Sequence, residues 1–271
     1  MVNRKTILIY IKLILTAIFW GGTFIAGRVV AKDVGPFSAA FFRFAIASCF
    51  LILFVWRIDG RLLLPKKRQI VPVVLLGLTG VFTYNVFFFK GLKLIHAGRA
   101  SIIIANNPIF IAILSAYFFK EKLNLIKAAG IIISVSGAII VISKGNLNEI
   151  VQGNIGRGEI YIFICVLSWV AYSLIGKVAM IDLSPISSVF YSCVIGTFFL
   201  FFPACYEGVI YNFHHYPITA WLGIFYLGVF GTVVGFVWYY EGIKKIGPTK
   251  ASLFINFVPV SAVILAFLFL D

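Results

Sequence analysis

The sequence predicts an all-α integral membrane protein built as an inverted repeat of five-helix units, with nine transmembrane helices in this chain and ten in a complete protein. Three observations carry this expectation. Apolar runs of membrane-crossing length recur along the whole chain, basic residues gather in the short connections between them, and one set of residues repeats at a nearly constant offset.

The apolar runs come first. Of 271 residues, 62% are hydrophobic and only 12% charged, whereas an ordinary soluble domain is about 25% charged and about 45–50% apolar. Runs at 7–30, 38–56, 71–92, 98–119, 124–143, 158–181, 185–206, 218–243 and 250–270 are each long enough for a hydrocarbon core of about 30 Å. They are continuously apolar where barrel strands would alternate, so helices are expected to satisfy the backbone in lipid. The first run is too long for a signal-peptide core and reads as a span.

The placement of charge sets the orientation. With the amino terminus inside, 15 Lys and Arg fall on the cytoplasmic side and 7 on the outer side, Arg43 being the remaining one of 23; this favours a cytoplasmic amino terminus. The outer cluster Lys90, Lys93 and Arg99 runs against the trend. A net charge of +14 would suggest nucleic acid in a soluble protein, but here the cations sit between apolar runs, and no nucleic-acid partner is expected. The expected surroundings are the lipid bilayer of a cell membrane.

The repeat has two blocks. Trp20, Gly27, Val29, Asp33, Pro36, Ser38 and Phe41 recur 149 residues later as Trp169, Gly176, Val178, Asp182, Pro185, Ser187 and Phe190. Gly91, Lys93, Ile95, Ala100, Ser101, Ile104 and Pro108 recur 151 residues later as Gly242, Lys244, Ile246, Ala251, Ser252, Ile255 and Pro259. Residues 1–146 and 158–271 are therefore read as two repeats. Five spans precede the second copy, an odd number, so the copies are expected upside down relative to each other. The counterpart of Glu121 would fall at position 272, one past Asp271, which reads as a fragment of a ten-helix protein in preference to a natural nine-helix form.

Trp20-Gly21-Gly22-Thr23-Phe24 is followed by Arg28, Pro36 by Phe42-Arg43, and Gly91-Leu92 leads to Ala100-Ser101 and Asn106-Asn107-Pro108. Further along come Lys120-Glu121-Lys122-Leu123, Trp169 with Tyr172, and Gly242 leading to Ala251-Ser252 and Pro259. In these motifs and their order the chain resembles the drug/metabolite transporter superfamily, and within it the EamA-like family. The resemblance implies ten helices in two inverted halves and export of small molecules such as amino acids by proton-linked or exchange transport. It also implies a central cavity between the first, third, fourth, sixth, eighth and ninth helices. A homodimer is among the assemblies it allows.

Residues for such a cavity can be named. Arg43 lies within a span, where an ionisable group costs about 2.5–3.5 kcal/mol on insertion scales; it reads as a contact for an anionic substrate group, an outer gate, or a side chain snorkelling to headgroups. Asn106, Asn107 and Pro108 interrupt the fourth run, and Asn256 and Pro259 interrupt the ninth at nearly the matching place. Broken helices at corresponding points of two halves point to a midplane site, or to kinks used for packing. Trp20, Tyr84, Asn85, Phe88, Trp169, Tyr172, Trp238 and Tyr239 are expected on cavity-facing helices, where aromatic walls suit an amphipathic small-molecule substrate. Gly231 and Gly235 make a small-xxx-small pair for close packing.

Catalysis has little to draw on. The nine carboxylates lie in connections or at helix ends, and the histidines His96, His214 and His215 have no carboxylate or cysteine at metal or nucleophile spacing. Cys49, Cys165, Cys193 and Cys205 are spread through apolar runs. No phosphate loop of the GxxxxGK type occurs. The expectation is a secondary transporter, not an enzyme, with no cofactor and no metal. Glu241 and Glu159 are the acidic candidates for proton coupling. Competing readings are transport of an anionic or phosphorylated metabolite drawing on Arg43 and the cluster Lys90, Lys93, Arg99, a non-transporting bundle, and a membrane enzyme acting on a lipid-linked substrate.

Overall fold

The computed structural model describes residues 4–60, 64–121 and 156–269, together with Ala129 and Ile133. Among the described residues, eight helices are long and apolar enough to cross a membrane. They are α1 (Arg4–Asp33), α2 (Pro36–Ile58), α3 (Lys67–Leu94), α4 (Ala97–Phe119), α5 (Arg157–Ala179), α6 (Pro185–Tyr206), α7 (Ile218–Ile246) and α8 (Pro248–Leu265). These eight coincide with eight of the nine apolar runs. The run at 124–143 lies outside the described residues apart from Ala129 and Ile133, as do the connection before Gly156 and Asp271.

Helix starts follow from local chemistry. Pro36, Pro185 and Pro248 each open a helix, where the missing backbone N–H would have had no partner in any case. Gly247 precedes Pro248 with φ +85°, a conformation that lets α7 and α8 join through a single residue. Outward from the bundle the helices present bare hydrocarbon: Leu53, Trp56, Phe198, Phe202 and Leu222 are among many large exposed apolar side chains, a surface suited to lipid.

Polar contacts mark two faces. On the first face, where α1 begins, Lys12 pairs with Glu241 at 2.5 Å, Arg68 with Asp182 at 2.6 Å and Lys177 with Glu121 at 3.0 Å. On the second face, Arg99 pairs with Glu159 at 3.0 Å, and Arg28 donates to the carbonyls of Leu92, at 2.8 Å, and Ile95. Glu241 and Glu159, named above as proton-coupling candidates, are thus each held in an ion pair away from the bundle centre. Lys90 lies over the rings of Phe37 and Phe87 and Lys93 is exposed, so the cluster Lys90, Lys93, Arg99 is dispersed among separate partners.

Helix α2 packs closely on α6, and the two run antiparallel. Each ends in an acid that caps the start of the other. Glu207, after α6, accepts from the Ser38 amide and hydroxyl, both at 2.7 Å. Asp59, after α2, accepts from the hydroxyls of Ser184 at 2.5 Å and Ser187 at 2.6 Å. A carboxylate at a helix amino terminus meets free donors and the positive end of the dipole. Ser38 and Ser187 are a repeat pair, so matching contacts lie at opposite faces.

Candidate functional site

Two helices are broken midway. In α4, residues Ala97–Ile104 give way to a turn at Ala105 and Asn106, and the helix resumes over Asn107–Phe119 with Pro108 in its first turn. The Asn106 amide donates to the carbonyls of Ile102 and Ile103, and the Asn107 amide to that of Ile104 at 2.9 Å. The side chains thus serve carbonyls that the break leaves free. In α8, Pro248–Ser252 passes through a 3₁₀ segment, Leu253–Asn256, before Phe257, with Pro259 in the turn that follows.

Two further interruptions have no counterpart in the expectations above. Gly77–Thr83 in α3 and Leu227–Val234 in α7 are π-helical, and Gly77 and Gly80 of the first correspond to Gly228 and Gly231 of the second at the same offset of 151. A π turn leaves carbonyls open to other donors. The Asn85 amide donates to the carbonyls of Gly80 and Val81, the Thr232 hydroxyl to that of Leu227 at 3.0 Å, and the Trp20 indole to that of Gly231 at 2.9 Å.

Arg43 is held between the two π segments. Its Nε donates to Thr232 Oγ1 at 3.0 Å and its Nη1 to Asn85 Oδ1 at 2.8 Å. The guanidinium lies 5.1 Å from the Phe44 ring centroid and 5.8 Å from that of Phe236. At 3% exposure it is buried inside the bundle, which rules out snorkelling to headgroups in this conformation.

These groups surround a central cavity. Trp20, Thr23 and Phe24 of α1, Arg43 of α2, Tyr84 and Phe88 of α3, Ile104 and Asn107 of α4, Trp169 of α5, Phe236 of α7, and Ile255 and Val258 of α8 line it. The cavity volume is about 30 Å³, room for about two waters. A metabolite therefore enters only as the walls move apart.

The EamA-like transporter family model matches residues 7–143 and 156–271. The chain belongs to the EamA-like transporter family. It is a multi-pass membrane protein, and its relatives carry transporter names. It is 30% identical over 263 residues to the uncharacterized transporter YyaM of Bacillus subtilis (strain 168), covering 97% of this chain and 86% of that one. It is 26% identical over 258 residues to a probable terminal-alkyne amino-acid exporter of Streptantibioticus cattleyicolor, covering 95% and 84%. A solved crystal structure shares its fold with a TM-score of 0.70 at 19% identity, over 98% of this chain and 89% of that one.

Other residues of this EamA-like chain named from sequence lie outside the cavity lining. Asn85 sits behind Arg43, and Asn106 is buried in the turn of α4. Tyr172 and Tyr239 belong, with Tyr240, to a fully buried aromatic layer on the first-face side of Trp169 and Phe236. Their hydroxyls are engaged: Tyr239 with Ser173 at 3.0 Å, Tyr172 with Ser192 at 3.3 Å, and Tyr240 donating to the Tyr172 carbonyl at 2.9 Å. Trp238 and Asn256, also expected there, lie outside the lining as well. Trp238 packs on Phe19 with the Lys12 ammonium 5.8 Å above its ring, and Asn256 is exposed on the outside of the 3₁₀ segment. Thr23, Phe24, Ile104, Phe236, Ile255 and Val258 line the cavity instead without having been singled out for it. Among the described residues no cluster of three or more His, Cys, Asp or Glu is arranged for a metal.

Proposed function

We propose that this protein is a secondary transporter that exports small amphipathic, amino-acid-like metabolites across the cytoplasmic membrane by alternating access, with its amino terminus in the cytoplasm. The observation that carries this reading is the central cavity, lined by both broken helices and by a buried cation that Thr232 of one π segment and Asn85, just after the other, hold in place. Aromatic walls with few polar groups suit a ligand that is part apolar and part polar.

Inverted repeats supply the conformational cycle. The offset residues, the matching acid caps at opposite faces and the paired π segments support two related halves of opposite orientation, with residues 1–146 and 158–271 as the repeats. Glu121 and Gly156 lie at opposite faces. Two such halves give inward-open and outward-open states of similar energy. Charge placement supports the orientation, with 15 basic residues against 7. Among the described residues the lining holds no carboxylate, histidine or cysteine.

The test is counterflow in proteoliposomes. Vesicles preloaded with pooled amino acids are expected to accumulate labelled amino acids through this protein, while vesicles preloaded with pooled sugar phosphates accumulate no labelled sugar phosphate. Counterflow with sugar phosphates alone would favour the anionic-metabolite reading, and none with either pool would remove the proposed function.

A further inference from the structure

Arg43 carries a full charge in a nearly dry place. Removing an ion of this size from water costs several kcal/mol even after relaxation, unless an opposite charge accompanies it. Among the described residues its partners are two neutral oxygens, on Thr232 and Asn85, and two ring faces, on Phe44 and Phe236. None of the four ion pairs involves it. Among the described residues its Nη2 has no acceptor.

A second polar group with spare capacity lines the same cavity. Asn107 is fully buried, its Nδ2 donates to the Ile104 carbonyl, and its Oδ1 has no hydrogen-bond partner. A buried acceptor left unsatisfied costs about 1–3 kcal/mol, and a ligand donor would remove that penalty. Of the other polar atoms of the lining, the Trp20 indole donates to the Gly231 carbonyl and the Thr23 hydroxyl to the Trp20 carbonyl.

We infer that the cavity takes substrates bearing a single carboxylate, seated on Nη2 of Arg43, together with a hydrogen-bond donor such as an ammonium that meets Oδ1 of Asn107. The inference rests on the transporter reading and narrows its substrate class. One guanidinium balances one negative charge; the second negative charge of a phosphate dianion would meet no cation of the described lining, since Arg99 and Lys90 are committed elsewhere, whereas an ammonium would meet the open acceptor of Asn107. Trp20 and Trp169, in edge contact at 5.1 Å, would pack against the apolar part of such a ligand.

Tryptophan fluorescence of the purified protein tests this, because Trp20 and Trp169 line the cavity. The probes are 3-phenylpropanoate, its neutral isostere 3-phenylpropanamide, L-phenylalanine and phenyl phosphate. The acid is expected to bind at least about tenfold more tightly than the amide, the scale of a charged hydrogen bond of about 1.5–3 kcal/mol, and more tightly than phenyl phosphate. Arg43→Gln is expected to bring acid and amide to parity, and Asn107→Leu to abolish the advantage of L-phenylalanine over 3-phenylpropanoate. Equal binding of acid and amide by the native protein, binding of none of the probes, or survival of the acid preference in Arg43→Gln overturns the inference. If Arg43→Gln does not fold, the comparison of acid with amide on the native protein decides alone. Loss of this preference with counterflow intact removes only the carboxylate seat, whereas absence of counterflow removes the transporter reading itself.

Discussion

Arg43→Met is expected to reduce counterflow by at least about tenfold while leaving the melting temperature of the purified protein unchanged or higher. The two effects have opposite physical origins. Transport loses a charged hydrogen-bond donor to the substrate, about 1.5–3 kcal/mol. Stability loses two hydrogen bonds from a charged donor, to Thr232 and Asn85, each contributing about 1.5–3 kcal/mol, but it also sheds the desolvation of a buried charge, which is several kcal/mol and offsets that loss. Methionine fills a comparable apolar volume between Phe44 and Phe236. A purely structural arginine would show the reverse, a marked drop in melting temperature with residual transport in proportion to the folded fraction. Thermal melting and counterflow on the same preparation separate the two.

Gly80→Val is expected to give the largest loss of stability. A Cβ at position 80 would lie 2.2 Å from the Tyr172 ring, far inside contact distance, and Tyr172 is fully buried against Trp169, Phe236 and Tyr240. Overpacking of this kind costs about 1–3 kcal/mol or more. The Gly80 carbonyl also receives Asn85, whose oxygen in turn holds Arg43, so the displacement propagates to the cavity. Lower yield of folded protein and a lower melting temperature would show it. Gly98→Val is the control: a Cβ there meets only Val263 Cγ2 at 3.7 Å, ordinary contact.

Much of this architecture is legible in the residues because lipid imposes a simple length rule. The eight described helices fall on apolar runs, and the breaks in α4 and α8 fall on Asn-Pro and on Asn followed by Pro, where a donor is lost and an amide is at hand. The phase of each helix is harder to read. In α7 the stretch Phe236, Trp238, Tyr239 and Tyr240 is aromatic on every side, so periodicity cannot say that Phe236 meets the cavity and Trp238 does not. In α8 the 3₁₀ turn, at 3.0 residues per turn, rotates Ile255 and Val258 inward and Asn256 outward. Gly77 and Gly80 recur at the repeat offset as Gly228 and Gly231, but glycine spacing does not set hydrogen-bond register, so the π segments are not legible in it. Ion pairs such as Lys12 with Glu241, 229 positions apart, need the folded chain to bring them together.

The most direct measurement is side-specific labelling of the cavity. Ile104, 4% exposed and part of the lining, is replaced by cysteine in a chain lacking Cys49, Cys165, Cys193 and Cys205. A membrane-impermeant maleimide is then applied to right-side-out and to inside-out vesicles. Alternating access requires modification from both sides, because the same position faces each compartment in turn. Modification from one side only, under conditions in which counterflow proceeds, would contradict it.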